Sequence, residues 1–242
     1  MMLEFGLPRD QVPAGFDAGA AAYDRLVGAN PGYHRQLRLS ARRLGLPGRG
    51  AGLRLLDAGC GTGASTAALL KVAPEAEIVA FDASAGMLQQ AAAKEFPANV
   101  RFVHSTIEDL DGDSLGEFDG CLTAYLIRNL AEPDDGLATL RGLLKPGGRL
   151  ALHEYSVADS RAAQMVWNLV CHTVIIPAGR VMTGDAALYE HLRRSVLQFD
   201  GIQRLRRRVA AAGFDDVRVE PMPGWQRGIA HTVVGTKAGP RP

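Results

Sequence analysis

The sequence has little cysteine and no excess of charge of either sign. Lysine and arginine number 27 against 26 aspartates and glutamates, which gives a net charge of +1. Nucleic-acid-binding domains carry a clustered basic excess, so no nucleic-acid partner is expected. The three cysteines are widely spaced, which excludes a disulfide framework or a cysteine-rich zinc site, and we predict no bound metal. These cysteines are Cys60, Cys121 and Cys171.

Targeting and membrane-spanning patterns are also missing. Residues 1–15 lack the basic segment and apolar core of a signal peptide. No apolar run reaches the roughly 20 residues that a membrane span needs. The longest candidate, residues 165–178, is interrupted by Asn168, His172 and Pro177. These absences predict a cytoplasmic protein with at most peripheral membrane contact.

Short apolar runs alternate with helical stretches along most of the chain, and 242 residues suit one domain. The predicted strands cover residues 53–57, 77–82, 100–104, 119–124, 148–154, 215–220 and 229–236. Helices are predicted between them at residues 63–72, 84–95 and 134–144, with a turn at residues 145–148. This alternation predicts an α/β fold with a doubly wound, seven-stranded, mostly parallel, Rossmann-like sheet and helices on both faces.

Two helical regions depart from the alternation. Residues 16–45 predict an N-terminal helical cap, and residues 156–200 predict an inserted helical lid. The helices of the lid are predicted near residues 160–175 and 185–197. The lid would cover an apolar acceptor, and plain core packing is the alternative for the same apolar pattern. The next helix is expected to use Asp200 as its N-cap and to end at Gly213.

A glycine-rich loop follows the first predicted strand and opens a helix. Glycines there allow a sharp turn, and the N–H groups at the helix start favour an electronegative ligand. Asp82 lies 21 residues after Gly61, at the end of the second strand, where a carboxylate accepts hydrogen bonds from ribose hydroxyls. Loop and acid together predict a nucleoside-containing cofactor. The loop residues assigned to this role are Asp57, Gly59, Gly61 and Gly63.

Two cofactor classes fit this loop. Gly59, Gly61 and Ala64 satisfy the dinucleotide pattern of NAD enzymes. However, an acid stands two residues before the first glycine, a third glycine follows the second at one-residue spacing, and the apolar segment 83–88 follows the ribose acid. These features resemble class I S-adenosylmethionine (SAM) methyltransferases. The residues that this resemblance places near the adenine are Ala83 and Met87.

The third predicted strand is followed by Thr106 and Ile107. In the class I family the position of Thr106 is commonly Asp or Asn and contacts the adenine amino group, so the resemblance implies that contact here. A threonine hydroxyl accepts a weaker hydrogen bond than a carboxylate does. We expect Thr106 and Ile107 to line the adenine site.

The second half of the chain narrows the resemblance. Residues 128–129 (Arg-Asn), residues 145–148 and residues 153–156 are similar to the ubiquinone/menaquinone biosynthesis C-methyltransferases. The resemblance covers residues 16–237. One departure is His191, where the family usually has tyrosine. The others are Asp200, a shortened stretch at residues 177–179 and additional residues at 224–227.

The resemblance implies a SAM-dependent methyltransferase that acts on a small, largely apolar aromatic acceptor and releases S-adenosylhomocysteine. C-methylation of a quinol is the leading case. The departures leave a natural-product O- or N-methyltransferase as an alternative on the same scaffold. An NAD-dependent oxidoreductase and a non-catalytic SAM-binding module are further alternatives, and a homodimer is compatible with the pattern.

Methylation of a quinol carbon needs a group that stabilises the phenolate and a group that takes its proton. Arg128 is predicted to stabilise the phenolate, and the alternative is a structural salt bridge that holds the loop after the fourth strand. His153 and His191 are the predicted general bases. Tyr125 is expected near the methionine moiety, and the resemblance implies that Tyr23 covers the cofactor.

Overall fold

The structure is a computed structural model that describes residues 20, 32–110, 112–183 and 186–239. The strands are β1 (Arg54–Ala58), β2 (Glu77–Asp82), β3 (Val100–His104), β4 (Phe118–Ala124), β5 (Leu144–Tyr155), β6 (Phe214–Pro221) and β7 (Ala230–Lys237). The helices are α1 (Tyr33–Arg43), α2 (Ala64–Val72), α3 (Ala85–Ala92), α4 (Gly112–Leu115), α5 (Pro133–Gly142), α6 (Arg161–Val170), α7 (Ile176–Thr183), α8 (Ala187–Gln198) and α9 (Ile202–Ala211). The N-terminal cap is described only from α1 onward, together with Ala20, which is helical.

The strands form one sheet in the order β3-β2-β1-β4-β5-β7-β6. Neighbours from β3 to β5 pair in parallel, whereas β7 is antiparallel to both β5 and β6. Leu55 and Leu56 show why helices cover both faces, since adjacent strand residues point to opposite sides and these two are buried in different hydrophobic clusters. The predicted doubly wound, mostly parallel sheet is confirmed.

This strand order places a crevice at one edge of the sheet. The chain leaves β1 toward β2 on one side and returns to β4 on the other. The carboxyl ends of β1, β2, β4 and β5 therefore meet around a switch point, which is where open α/β sheets bind their ligands. Candidate site residues from both halves of the chain lie at this edge.

The predicted turn at residues 145–148 is wrong, because these residues lie inside β5. Phe118 pairs with Leu144 and Gly120 pairs with Arg149, so the intervening segment of β5 bulges out of the ladder. Pro146 has no N–H to donate to a ladder, which suits it to such a bulge. The sequence showed the turn chemistry but not that the strand continues on both sides of it.

The inserted helical region is more continuous than predicted. Helix α6, a π-helical turn over Cys171–Ile175 and helix α7 follow one another without a break. Pro177 stands just after the wider turn, where the helix has already left ideal α-helical bonding. The resulting helix Arg161–Met182 is long and apolar enough to cross a membrane by length and composition, with 17% of its apolar window buried. The expectation that no such segment exists was wrong.

Helix α9 begins differently from the prediction and ends as predicted. Its N-cap is Gly201, with no side-chain hydrogen bond at the cap. Asp200 instead forms ion pairs with two arginines of the helix, Arg204 at 3.1 Å and Arg208. Gly213 follows the helix with a left-handed φ of 89°, the conformation of a glycine C-terminal cap.

Helix α1 is tied to the hairpin of β6 and β7. The Arg43 guanidinium donates to the Thr232 hydroxyl at 2.8 Å and to the Glu220 carbonyl at 2.9 Å. Ser40 and Thr232 share a buried hydrogen bond of 2.8 Å. These contacts join residues that are far apart in sequence. Thr232 pairs with His153, so the contacts lie near the carboxyl end of β5.

Candidate active site

The glycine-rich loop joins β1 to α2 and folds back on β2. The N–H groups of Gly59 and Cys60 both donate to the Phe81 carbonyl, at 3.0 and 2.9 Å. Gly63 is the N-cap of α2 with a φ of 85°, a left-handed conformation that favours glycine. Apart from its chain neighbours, no heavy atom of the described residues lies within 4 Å of the place that a Cβ on Gly61 would occupy. The loop therefore presents bare main chain to open space at the start of a helix.

Asp82 is fixed beside this loop at the end of β2. The Gly61 N–H donates to its Oδ2 at 2.7 Å, and the Ser84 N–H donates to its Oδ1 at 2.9 Å. These bonds orient the carboxylate toward the carboxyl edge of the sheet. A carboxylate accepts about four hydrogen bonds, and these two N–H groups each donate to a different oxygen of Asp82.

Asp57 lies behind the loop rather than in it. The residue is 0% exposed, and Ser65 and Thr66 in the first turn of α2 donate their hydroxyls to its Oδ2 at 2.8 and 2.6 Å. Burial raises the pKa of Asp57 to about 7, in opposition to the two hydroxyl bonds that lower it. Asp57 thus fastens α2 to β1 and shapes the loop from behind. Sequence reasoning missed Ser65 and Thr66, whose signal was two hydroxyl residues in the helical turn after a buried acid.

The residues predicted to line an adenine follow the ends of β2 and β3, two neighbouring strands. Met87 and Ile107 are buried apolar side chains, and the Ala83 carbonyl lies 3.1 Å from the His104 Nε2. Thr106 uses its hydroxyl within its own turn, since it donates to the Asp109 Oδ2 at 2.9 Å and accepts from the Asp109 N–H at 3.2 Å. This local bonding stabilises the turn that follows β3.

This half of the edge fits an adenosine-containing cofactor. Main-chain N–H groups at a helix start, an oriented carboxylate for a ribose and buried apolar side chains for a base are all present. The open space over Gly61 leaves room for a ligand against the main chain. Tyr23, predicted to cover the cofactor, lies outside the described residues.

Tyr125 is the first residue after β4 and has a left-handed φ of 61°. Such a conformation is uncommon for a bulky residue and persists only where the surroundings enforce it. Here the Arg128 guanidinium and the Asn129 amide both donate to the Tyr125 carbonyl at 2.9 Å. The Tyr125 hydroxyl is hydrogen-bonded to the His153 Nε2 at 2.8 Å. Arg128 and Asn129 therefore hold Tyr125 in its strained conformation through hydrogen bonds to its carbonyl.

A row of aromatic rings extends from Tyr125 across the carboxyl edge. Tyr125 stacks on Tyr155 with ring centroids 4.6 Å apart, and Tyr155 contacts Trp167 of α6 at 4.7 Å. On the other side, the Tyr33 ring is nearly parallel to Tyr125 at 6.0 Å. We call Tyr33, Tyr125, Tyr155 and Trp167 the aromatic row. Sequence reasoning assigned no role to Tyr33 or Trp167, because four distant segments supply the row.

Arg128 forms a buried ion pair with Glu154. The side chains are 5% and 1% exposed, and Arg128 Nη1 lies 3.4 Å from Glu154 Oε1. Burial raises the pKa of Glu154, although the Arg128 cation acts to lower it. The Nε of Arg128 has no hydrogen-bond partner among the described residues and is shielded from solvent. The salt bridge expected as one reading of Arg128 is present, and the buried Nε donor of the guanidinium is without a partner among the described residues.

The two predicted bases occupy different environments. His153 is fully buried, and burial together with the Arg43 cation lowers its pKa to about 3, so it is neutral and bonded to Tyr125. His191 on α8 is half-buried, and burial, Arg128 and Arg194 lower its pKa. Its Nε2 has no partner among the described residues. Each imidazole keeps one buried nitrogen without a partner among the described residues, Nδ1 of His153 and Nε2 of His191, and of the two only His191 has its pKa lowered by the Arg128 cation.

No group of three or more histidine, cysteine, aspartate or glutamate residues in the described part of the chain is arranged to hold a metal ion. His231 on β7, opposite Glu154 in the register, is buried, and burial lowers its pKa to about 4. The three cysteines are buried thiols.

The sequence matches the model of the ubiE/COQ5 methyltransferase family over residues 10–237. It is 33% identical over 238 residues to the demethylmenaquinone methyltransferase of Clavibacter sepedonicus, covering 96% of this chain and 94% of that protein. It is 34% identical over 178 residues to the ubiquinone/menaquinone biosynthesis C-methyltransferase UbiE of Dinoroseobacter shibae, covering 69% and 68%.

Solved structures share the fold at low sequence identity. The [4+2]-cyclase SpnF superposes with a TM-score of 0.67 at 18% identity, covering 97% of this chain and 99% of that one. A phosphoethanolamine N-methyltransferase of Haemonchus contortus, in complex with S-adenosyl-L-methionine, gives a TM-score of 0.67 at 18% identity, covering 98% and 60%. At this identity the likeness shows the fold alone.

Proposed function

The chain belongs to the ubiE/COQ5 methyltransferase family, and from that premise we propose that it transfers a methyl group from SAM to a ring carbon of a quinol. The observation that carries the acceptor class is the aromatic row beside the buried Arg128. A flat apolar ring stacks well on aromatic side chains, and a guanidinium stabilises the oxyanion of an ionised phenol. A cytoplasmic location and a homodimer belong to the same proposal, and light scattering checks the second.

The chain's own residues would hold SAM in the manner that its family implies. Asp82 receives the ribose hydroxyls, the main chain at Gly61 faces the methionine end, and Met87 and Ile107 enclose the adenine, with Thr106 at its rim. When bound, SAM supplies an electrophilic methyl group on a sulfonium. Asp57 contributes through Ser65 and Thr66 by keeping the loop in shape.

On the acceptor side, alignment and charge stabilisation are the two tasks. The quinol ring would lie at the carboxyl edge beside the aromatic row, whose own rings are buried, and the Nε of Arg128 would face the phenolate oxygen. His191 Nε2 takes the phenol proton, since a lowered pKa keeps this imidazole neutral at the outset. The phenolate then directs electron density to the ring carbon, which would gain the methyl group as its bond to sulfur breaks and S-adenosylhomocysteine leaves, and the proton of that carbon would then pass to solvent. His153 supports this arrangement through the Tyr125 hydroxyl.

The reaction is tested with a reduced demethylnaphthoquinol and methyl-labelled SAM. We expect a product that carries one methyl group on a ring carbon, identified by mass spectrometry and by NMR of the methyl group. A methoxy or N-methyl product from other aromatic acceptors, with none from the quinol, would favour the O- or N-methyltransferase alternative. Calorimetry with SAM and with NAD separates the cofactor classes, and heat from NAD alone would contradict the proposal.

A matched pair of variants tests the role of His191. His191→Phe removes the base while retaining an aromatic ring, and we expect turnover to fall by about 100-fold with unchanged SAM affinity. His172→Phe changes an exposed histidine on the neighbouring helical segment and serves as the control, with normal turnover expected. Normal turnover of the His191 variant would remove this residue from the proposal.

A further inference from the structure

The described residues expose six large hydrophobic side chains, and five of them lie on the single helix that runs through α6 and α7. They are Met165 (67% exposed), Val166 (41%), Leu169 (62%), Val174 (57%) and Val181 (86%). Isolated exposed hydrophobics are common, but a set concentrated on one element marks an interaction surface. We call these five residues the apolar face.

The π-helical turn keeps the apolar face on one side of the helix. Met165, Val166 and Leu169 share a face by their spacing of three and four residues. Leu169 and Val174 are five residues apart, which an α-helix would place on different sides. The π-helical turn over Cys171–Ile175 has more residues per turn than an α-helix, which brings Val174 closer to the direction of Leu169, and both side chains are exposed.

The opposite side of the same helix packs inward. Trp167 and Cys171 are buried, and the Trp167 ring contacts Tyr155 of the aromatic row at 4.7 Å. The helix therefore separates the aromatic row from the outside by its own thickness. A helix with this buried side cannot cross a bilayer without leaving the fold, which restricts it to lying on a surface.

The charged residues of the segment that carries the apolar face are all basic. Residues 161–183 contain no aspartate or glutamate, and arginines stand near both ends of the segment, at Arg161 and Arg180. Both are exposed, and neither forms an ion pair with another described residue. Arginine stems lie along apolar surface while their guanidinium groups reach a neighbouring anionic layer.

We propose that the apolar face docks on the surface of a lipid bilayer with anionic headgroups, with the helix lying in the plane of the interface. A second copy of the chain fits less well, because a two-fold contact between antiparallel helices would bring Arg161 of one copy toward Arg180 of the other. The acceptor route rests on the proposed function: a quinol with a long apolar tail would then leave the bilayer beside the helix that covers the aromatic row.

Vesicle flotation tests the docking independently of methyl transfer. We expect the full chain to float with vesicles of phosphatidylcholine and phosphatidylglycerol, and to bind pure phosphatidylcholine at least about tenfold more weakly. The double variant Leu169→Gln with Val174→Gln should lose at least about tenfold in partitioning to the mixed vesicles. Trp225→Gln, at an exposed hydrophobic away from the face, is the matched control and should partition normally.

Replacing Arg161 and Arg180 by glutamine should remove the preference for anionic vesicles and leave the weak binding to phosphatidylcholine. No vesicle binding by the unaltered chain, or equal binding by the Leu169 and Val174 double variant, would overturn the docking proposal. So would a dimer in sedimentation velocity that the double variant converts to monomer without vesicle binding in the unaltered chain. Methylation of a short-chain, water-soluble quinol should be unaffected in the double variant, so failure of that reaction in the unaltered chain would count against the proposed function alone.

Discussion

The two halves of the carboxyl edge are built from different materials. On the side of β1 and β2, the surface is main chain, and its N–H groups are held by short-range contacts such as the bond from Gly61 to Asp82. On the side of β4 and β5, the edge is built from a row of buried aromatic rings next to a buried ion pair, assembled from segments far apart in sequence. The first half depends on backbone conformation, and the second depends on side-chain packing.

This difference has a physical consequence for how each half responds to change. A main-chain surface depends on a few backbone conformations and tolerates changes in the surrounding side chains. An arrangement of buried charges and stacked rings depends on every partner, because an unpaired buried charge is strongly destabilising. We therefore expect the largest losses of stability on the β4–β5 side and the clearest losses of cofactor affinity on the β1–β2 side.

The largest expected effect comes from Arg128→Met. This variant leaves Glu154 buried without its cation and removes a donor to the strained Tyr125, so the free energy of unfolding should fall by about 3–5 kcal/mol. Denaturant unfolding measures the loss. Adding Glu154→Gln should recover much of it, because the unpaired charge is then gone. Arg204→Met removes an exposed arginine and leaves Asp200 paired with Arg208, so it should change stability by less than about 1 kcal/mol. Equal losses in both arginine variants would break the contrast between buried and exposed charge.

The second effect concerns the pH dependence of stability at Asp57. Because burial raises its pKa to about 7 in the folded chain, its contribution is present at low pH and is lost as the pH rises through 7. Relative to Asp57→Asn, the unaltered chain should lose roughly 3 kcal/mol between pH 5 and pH 8. Urea unfolding at the two pH values measures this difference.

Asp119→Asn is the control for that measurement. Burial alone would raise the pKa of Asp119, but hydrogen bonds from Arg54 N–H and Lys145 hold it below its usual value, so it titrates below this pH window. Its difference from the unaltered chain should be the same at pH 5 and pH 8. A pH-independent difference for Asp57→Asn would mean that Asp57 is ionised from pH 5 to pH 8. The β1–β2 side would then contain a buried charge, as the β4–β5 side does.

The third effect is on cofactor affinity at Asp82. Asp82→Ala removes the ribose acceptor and the anchor of the Gly61 N–H, so SAM binding should weaken by about 1.5–3 kcal/mol, as measured by calorimetry. Thermal stability should change far less than in Arg128→Met. Unchanged affinity would show that the acid serves only the loop.

The smallest effect is expected at Thr106. Asparagine at this position can still cap the Asp109 N–H and offers a stronger acceptor to an adenine amino group. Thr106→Asn should tighten SAM binding by about 0.5 kcal/mol, while Thr106→Val should weaken it by a similar amount. If both variants bind SAM equally, Thr106 only stabilises its own turn.

The same contrast explains what the sequence could predict. The loop from Gly59 to Gly63 and its acid are local patterns at fixed spacing, so both the fold class and the pairing of Asp82 with the loop were accessible. The position of Asp57 behind the loop was not, because burial depends on how α2 packs on β1. For Arg128, the sequence left two readings open, and its partner Glu154 lies 26 residues away on a different strand.

Long-range and conformational features account for the remaining differences. The aromatic row draws on α1, β4, β5 and α6, and no periodicity in one segment announces it. The π-helical turn after Val170 extends a helix past Pro177, where local rules predict an end. Two side-chain donors that follow Tyr125 in sequence, Arg128 and Asn129, stabilise its strained φ. The pattern of side chains along the sequence does not predict such a backbone angle.

The position of β7 has a consequence for how the chain is made. This strand is last in sequence yet lies inside the sheet, between β5 and β6. During synthesis on the ribosome, β5 has an open edge until β7 emerges, and an open edge pairs readily with other chains. Ser40 and Arg43 must also wait for Thr232 before their buried bonds can form. Emergence of β7 from the ribosome is therefore the event that closes the sheet, and a nascent chain stalled before β7 should depend on chaperones.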